Sequence, residues 1–253
     1  MVTTRLMVVA VFTVFCLVPA RAADIVALLP VSMEHTAHEV IPAFEKSTGN
    51  KVSIQFGTAG AVAGKIRAGE TADILISTAA QIEALLKEGK LIAGSNAGLA
   101  KVGVGVLVRK GAPKPDISSV ESLKAAILAA KGISYTDPAL GGPAGIYVAK
   151  MLDLLGIGPE MKPKTKLSGP GAAVSTTVLN GEADLGFIMI NEILADTRVD
   201  YVGPLPQPIQ DYTRFAIGIV ASGTQREAGG ALVRLMTSRD TQDVMRRLGF
   251  ESY

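Results

Sequence analysis

The chain has 253 residues, a formal net charge of +2 at pH 7, one cysteine and no tryptophan. Two arginines near the amino terminus, Arg5 and Arg21, account for the positive excess, so residues 23–253 carry no formal net charge. No basic run occurs in residues 23–253, which argues against a nucleic-acid partner. A chain of roughly 230 residues buries a sufficient core without disulfides.

The first 22 residues have the pattern of a secretory signal. Arg5 precedes an uncharged apolar run at residues 6–18, Pro19 ends this run, and small residues at positions 20 and 22 suit a signal peptidase. The run is shorter than a membrane-spanning helix requires. We therefore predict a cleaved signal peptide at residues 1–22 and a periplasmic protein. Cys16 lies in this segment, so the mature protein is predicted to have neither a disulfide nor a reactive thiol.

Between residues 23 and 108, strand patterns alternate with helix patterns. Short apolar runs predict strands, and apolar residues spaced by three and four predict helices. The predicted elements are strand 25–29, helix 33–46, strand 52–56, a helix carrying Val62 and Ile66, strand 72–77, a helix ended by Gly89, and strand 102–108. This order is typical of an α/β fold with a mostly parallel sheet flanked by helices.

A second α/β unit begins after the polar, proline-containing stretch at residues 113–119. Its elements, with those that close the chain, are helix 123–130, strand 133–136, helix 144–155, helix 172–180, strand 185–190, strand 215–221 and two helices around residues 232–236 and 244–248. A restart in mid-chain followed by a late return predicts two lobes. We place lobe 1 at residues 23–105 and 216–253, and lobe 2 at residues 106–215, in a monomer.

The candidate binding residues lie where predicted strands lead into helices. Four such junctions contain small or hydroxyl residues: Ser32, residues 58–60, residues 143–145 and residues 169–173. Ligands of open parallel sheets bind beyond the carboxyl ends of the strands, where helix amino termini offer free N–H groups and a partial positive charge. These junctions therefore predict a small anion as ligand, although the same residue types also serve as ordinary helix caps.

Residues that would support catalysis are few. His35 and His38 lie three apart on one predicted helix, which is compatible with a metal site, a solvated helix face or, for His35, contact with the ligand. No serine lies in a nucleophile-elbow pattern, and no glycine-rich loop carries the lysine of a P-loop. We predict no enzymatic activity, no cofactor and no protein ligand to a metal.

Several motifs together resemble a known family. They are AFEK at residues 43–46, FGTAG at 56–60, AGETADILIS at 68–77, DP at 137–138, PAGIY at 143–147, GEADLG at 181–186 and LGF at 248–250. In these motifs the chain resembles the periplasmic molybdate-binding proteins of ABC importers, which are type II solute-binding proteins. The resemblance implies a two-lobed periplasmic-binding-protein fold with a ligand cleft between the lobes, and an ABC permease in the inner membrane as partner.

The resemblance also implies which residues contact the ligand. The family's first serine falls on Ser32 and the alanine of its Pro-Ala-Gly turn on Ala144, and both are retained. The chain departs from the pattern at Ala59, Gly171 and Met189, where Ala59 replaces a serine and Met189 a tyrosine. The predicted ligand-binding residues are Ser32, Thr58, Ala59, Gly60, Ala144, Gly171 and Met189.

Because of these three departures from the family pattern, the sequence is compatible with two classes of ligand. The resemblance favours molybdate or tungstate, with the Thr58 hydroxyl in place of the missing serine. A site that lacks a hydroxyl and a phenol leaves oxyanion acceptors without partners, at a cost of about 1–3 kcal/mol each. A small carboxylate or another organic anion is therefore the alternative ligand.

Overall fold

The computed structural model describes residues 22–253, so the predicted signal peptide lies, except for its last residue, outside the described range. The strands are β1 (Asp24–Pro30), β2 (Lys51–Gly57), β3 (Ile74–Thr78), β4 (Ala97–Arg109), β5 (Ile133–Thr136), β6 (Thr165–Ser168), β7 (Leu185–Met189), β8 (Val199–Pro204) and β9 (Tyr212–Ile219). The α-helices are α1 (Glu34–Thr48), α2 (Ala59–Arg67), α3 (Ala79–Lys87), α4 (Val120–Ala129), α5 (Pro143–Leu154), α6 (Gly158–Met161), α7 (Ala172–Leu179), α8 (Ile190–Ala195), α9 (Arg226–Met236) and α10 (Arg239–Arg247). Within residues 22–253, none of these helices has the length and apolar character needed to cross a bilayer.

Strand β1 is the centre of the first half of the sheet. It pairs in parallel with β2 on one side and β3 on the other, and β9 adds to β3 in antiparallel orientation. Ile25 and Leu28 of β1 are fully buried on opposite faces, one in the core that includes Phe44 of α1, the other in a cluster with Val62 of α2. Helices on both faces explain why the strand sequence is continuously apolar.

Strand β5 has the same place in the second half. It pairs in parallel with β6 and β7, and β7 pairs with β4 in antiparallel orientation. Phe187 of β7 is fully buried in the core that includes Val148 of α5, and its neighbour Ile188 packs on the other face with Val174 of α7. Each half is therefore a mostly parallel sheet between helices, as predicted.

Strand β4 joins the two halves. Its residues up to Gly103 pair with β9, and from Val104 onwards they pair with β7 and β8. The Gln210 side chain accepts a hydrogen bond from the Val104 backbone N–H (3.0 Å) and donates one to the Val104 carbonyl (2.9 Å). The backbone groups where β4 changes partners are thus satisfied. The boundaries given above between lobe 1 (residues 23–105 and 216–253) and lobe 2 (residues 106–215) stay a prediction.

The structure differs from the sequence-based elements mainly at β6 and β8, which the sequence analysis missed. Both strands are partly exposed and carry polar residues, such as Lys166 in β6 and Asp200 in β8, so neither has a continuous apolar run. The predicted strand 185–190 ends one residue early, because α8 begins at Ile190. A helix of six residues is too short to display helical periodicity.

Candidate ligand cleft

A cleft lies where the two halves of the sheet face each other, and in this conformation it encloses a cavity of about 30 Å³. The first half contributes Pro30, Val31, Ser32, Thr58, Ala59 and Phe215, which we call the first wall. The second half contributes Thr136, Gly142, Pro143, Ala144, Gly145, Pro170, Gly171, Met189 and Glu192, which we call the second wall. This cavity is far smaller than the roughly 300–1,000 Å³ of small-molecule sites, so the cleft is nearly closed and its walls must separate to admit a ligand.

Four helix amino termini converge on the cleft. The turn at Val31–Met33 leads into α1 and Thr58 caps α2 on the first wall, while α5 begins at Pro143 and α7 follows Gly171 on the second. The four junctions found in the sequence are therefore brought together, two from each half. Free N–H groups and aligned helix dipoles make such a cleft suitable for negative charge.

Ser32 offers a free hydroxyl. The residue is 4% exposed and lines the cleft. Its carbonyl accepts a hydrogen bond of 2.7 Å from the Asn191 amide across the cleft, but within residues 22–253 its hydroxyl has no hydrogen-bond partner. A hydroxyl in the cleft wall that is not used within the protein is available to a ligand.

Thr58 and Gly60 hold the two halves against each other. The Thr58 Oγ1 accepts a hydrogen bond of 3.0 Å from the Ala61 N–H and donates its own proton to the Leu140 carbonyl. The Gly60 N–H donates to the Gly141 carbonyl at 3.0 Å, and Gly60 is not among the residues that line the cleft. The Thr58 hydroxyl proton is thus already bonded, so it does not replace the missing serine in this conformation.

The remaining predicted residues all lie in the cleft walls. Ala59, Ala144 and Met189 are each no more than 6% exposed. Gly171, which precedes α7, has φ 56° and ψ −120°, a conformation that residues with a Cβ rarely adopt. The contacts of these residues with a ligand stay predictions, but their small side chains leave the backbone N–H groups accessible.

Glu192 is the site residue that the sequence analysis missed. Its carboxyl group lies beside Gly171, where a Cβ added to Gly171 would stand 3.4 Å from Glu192 Oε1. The pKa of Glu192 is raised to about 7: burial is the main cause, a hydrogen bond from the Met189 backbone opposes it, and the charge of Glu34 adds a smaller increase. Glu192 follows the end of β7 by three residues, so the strand-end rule that selected Met189 also covers it.

Of the residues that line the cleft, none is Lys, Arg or His. His35 lies in a second, adjacent pocket, together with Glu34, Asp196 and Arg198, and Glu192 borders both pockets. His38 packs edge-on against the Phe56 ring, with centroids 6.0 Å apart. Within residues 22–253, no three His, Cys, Asp or Glu side chains are grouped in a way that would hold a metal ion.

Comparison with known proteins identifies the family. A family model described as bacterial extracellular solute-binding protein matches residues 26–251. The chain belongs to this family. The solute-binding protein is 29% identical to the aconitate isomerase of a Pseudomonas species over 222 residues, which cover 85% of this chain and 83% of that one. It is 27% identical to the molybdate-binding protein ModA of Azotobacter vinelandii over 238 residues, 91% of each chain.

A solved structure confirms the predicted fold class. The periplasmic molybdate-binding protein of Azotobacter vinelandii aligns with a TM-score of 0.75 and 19% identity, over 89% of this chain and 98% of that chain. The present chain is thus a ModA-like solute-binding protein of the ABC-transporter type. Proteins of this type bind small ligands and work with membrane permeases.

Proposed function

We propose that the cleft captures a small organic anion bearing carboxylate groups and that the protein delivers it to an ABC permease from the periplasm. The observation that carries this proposal is the Glu192 carboxyl group in the cleft wall. A ligand for this cleft must have one part that suits helix amino termini and another part that tolerates an acidic side chain. An organic anion has two such parts, because its charge is confined to its carboxylates.

The composition of the walls supports a carbon skeleton. Among the residues that line the cleft, polar side chains come from Ser32, Thr58, Thr136 and Glu192, whereas the others are glycine or apolar. Apolar residues of the lining, among them Val31, Pro170 and Met189, favour contact with the hydrocarbon atoms of a ligand. A bare oxyanion gains nothing from these surfaces.

Charge also separates the two ligand classes. Two unit charges of the same sign at 4 Å repel by about 4 kcal/mol at an effective dielectric constant of 20. Molybdate has acceptors on every side, so an ionised Glu192 would face one of its charged oxygens without a proton to share. A carboxylate ligand directs its charge toward the amino ends of α2, α5 and α7 and turns its hydrocarbon part toward Glu192.

Molybdate or tungstate is the second candidate, as the family resemblance implies. It is favoured by the relationship to ModA and by a cleft whose lining residues include no cationic side chain. Backbone N–H groups and the Ser32 hydroxyl would then hold the oxyanion. Protonation of Glu192 would be required, and this makes oxyanion binding weaker above the pKa of about 7 than below it.

A thermal-unfolding panel tests the proposal. The purified protein is heated with molybdate, tungstate, sulfate and phosphate, and separately with succinate, malate, citrate, tricarballylate and the two aconitate isomers. Aconitate is included because of the name of the Pseudomonas relative. A ligand at a hundred times its Kd adds about 2.7 kcal/mol to the native state, which raises the midpoint by roughly 5–10 °C for a chain of this length.

A shift with one or more carboxylates, reduced in Ser32→Ala and absent with the oxyanions, is the expected result. A shift with molybdate and tungstate alone would overturn the organic anion and establish the second candidate. Calorimetric titration of the ligand with the largest shift then gives its stoichiometry and Kd.

A further inference from the structure

The second pocket beside the cleft, which contains His35 and Arg198, is called the outer pocket. It has a volume of about 350 Å³. It shares four lining residues with the cleft, namely Val31, Pro170, Gly171 and Glu192. His35 and Arg198 are exposed, so the outer pocket reaches the protein surface. The two cavities therefore border each other at one edge of the cleft.

The cleft by itself is too small for a whole organic anion. Its cavity of about 30 Å³ has room for roughly two groups of the size of a water molecule, since one water needs about 10–15 Å³. The two oxygens of one carboxylate fit this space, where the Ser32 hydroxyl and the amino ends of α2, α5 and α7 surround them. The rest of the ligand needs the outer pocket, whose volume lies within the roughly 300–1,000 Å³ of small-molecule sites.

Gly171 leaves space between the two cavities. A Cβ at this position would stand 3.4 Å from Glu192 Oε1 and 3.8 Å from Val31 Cγ2. Because glycine has no side chain, the space between Val31 on the first wall and Glu192 on the second stays free. A ligand whose carboxylate lies in the cleft can therefore extend past Glu192 into the outer pocket.

The outer pocket is acidic. Its lining contains three carboxylates and one guanidinium, so its formal net charge is −2 with the histidine neutral. The carboxylates belong to Glu34, Glu192 and Asp196, and the guanidinium belongs to Arg198. Arg198 donates to Asp196 from Nε and from Nη2, at 2.8 Å each, and within residues 22–253 no cationic side chain forms an ion pair with Glu192. A second carboxylate of the ligand is repelled here, whereas a cationic group is attracted.

The pKa of Glu192 agrees with a carboxyl group that has no cationic partner. Burial, opposed by the Met189 backbone hydrogen bond and assisted by the charge of Glu34, raises this pKa to about 7. A cation beside the carboxylate would offset the effects of burial and of Glu34. A ligand that brings a cation to this point forms a charge-assisted hydrogen bond that the protein alone does not make.

We propose that the ligand is an organic anion that carries a protonated amine in addition to its carboxylates, with one carboxylate in the cleft and the amine in the outer pocket beside Glu192 and Glu34. Acidic amino acids belong to this chemical class. The inference rests on the proposed function, since it needs a carboxylate bound in the cleft. It adds the group that the acidic side of the site recognises.

Matched pairs of ligands test the amine directly. Titration calorimetry compares aspartate, as both enantiomers, with succinate, and glutamate, as both enantiomers, with glutarate. Within each pair the carbon skeleton and the two carboxylates are the same, and only the amine differs. In at least one pair, the amino compound is expected to bind about tenfold more tightly or better, which is the effect of one charge-assisted hydrogen bond.

Two substitutions locate the amine. Glu192→Gln and Glu34→Gln each remove one negative charge and keep the size of the side chain. Each should lower the preference, which is the Kd of the plain dicarboxylate divided by that of the amino compound, by about threefold or more. Glu182→Gln, exposed and outside both cavities, is the matched control and should keep the preference. A general loss of folding weakens both ligands of a pair, so it does not change this ratio.

The outcomes separate this inference from the proposed function. If succinate binds as tightly as aspartate and glutarate as tightly as glutamate, the amine is wrong and the capture of a carboxylate stands. A preference for the amino compound that persists in both Glu192→Gln and Glu34→Gln places the amine elsewhere and overturns the proposal. If neither these compounds nor any carboxylate of the thermal-unfolding panel binds, both proposals fail.

Discussion

The two walls of the cleft differ in what they offer a ligand. The first wall presents the hydroxyl of Ser32 and a helix amino terminus at Ala59. The second wall presents two helix amino termini at Pro143 and Gly171, but it also holds the acid, Glu192. The first wall is therefore suited to holding an anion, whereas the second wall combines two helix amino termini with an acidic side chain. Four substitutions test this difference.

The largest effect is expected from Gly145→Ala, in the second wall. A Cβ at this position would stand 2.0 Å from the Thr136 carbonyl oxygen, a backbone atom that has little freedom to move. We expect a loss of more than about 3 kcal/mol in the free energy of unfolding, at the upper end of the cost of overpacking. Urea denaturation measures it. Ile146→Ala, at the half-exposed next position, is the control and should change stability little.

Glu192→Gln should stabilise the protein at high pH. A carboxyl group whose pKa is about 7 when folded, against a usual value of 4.5, binds its proton more tightly in the native state. This protonated group contributes its full stability below pH 4.5, and the contribution is lost as the pH rises through 7. The amide has no charge to bury, so the variant should gain up to about 3 kcal/mol at pH 8.

At pH 5 the same substitution should change stability by less than about 1 kcal/mol, because the native carboxyl group is then protonated. Thermal unfolding at both pH values measures the difference. An equal change at pH 5 and pH 8 would show that folding does not raise the pKa of Glu192. Substitutions of Ser32 or Thr58 in the first wall should change stability by the same amount at both pH values, since neither side chain titrates.

Ser32→Ala tests the first wall by affinity. Loss of a hydrogen bond from this hydroxyl to a charged ligand should cost about 1.5–3 kcal/mol, which is a tenfold to hundredfold increase in Kd. Titration calorimetry with the organic anion from the panel measures it. Ser53→Ala, on the exposed face of β2, is the matched control. An unchanged Kd would remove the Ser32 hydroxyl from the binding site.

Gly60→Ala tests the contact that joins the walls. A Cβ on Gly60 would stand 2.9 Å from both Cα and O of Gly141, so the two halves would no longer approach as closely. We expect Kd to rise about threefold to thirtyfold, for a cost of roughly 1–2 kcal/mol. Gly64→Ala, in the same helix and with nothing within 4 Å of an added Cβ, should keep its affinity and gain stability. Equal affinities in both variants would contradict a closed conformation held by this contact.

The four junctions of the cleft were predictable because their signals are local. Pro143 at the start of a helix, Thr58 as a cap and glycines before α7 are visible in the sequence, and the strand-end rule places them at one edge of each half. These junctions converge because β4 crosses from one half of the sheet to the other. The resemblance implied a cleft between two lobes, whereas local sequence patterns did not show that β4 makes this crossing. The exposed strands β6 and β8 escaped prediction because they lack an apolar run.

Glu192 escaped prediction for a different reason. The apolar letters of residues 185–190 continue one residue past β7, and α8 is too short for its periodicity to be seen. A glutamate in a short polar segment is usually solvent-exposed. Its pKa is raised by burial in the fold, with a smaller contribution from Glu34; Glu34 and the neighbouring Gly171 are distant in sequence, so no local pattern reports this environment.

The hydrogen bond from Asn191 to the Ser32 carbonyl also affects the timing of release. Asn191 and Glu192 are consecutive residues in the first turn of α8. Any motion that separates the walls breaks this bond and, in the same step, withdraws the Glu192 carboxyl group from whatever the first wall holds. We therefore expect a variant without the Asn191 amide to release a bound ligand sooner, because one bond that joins the closed walls is missing.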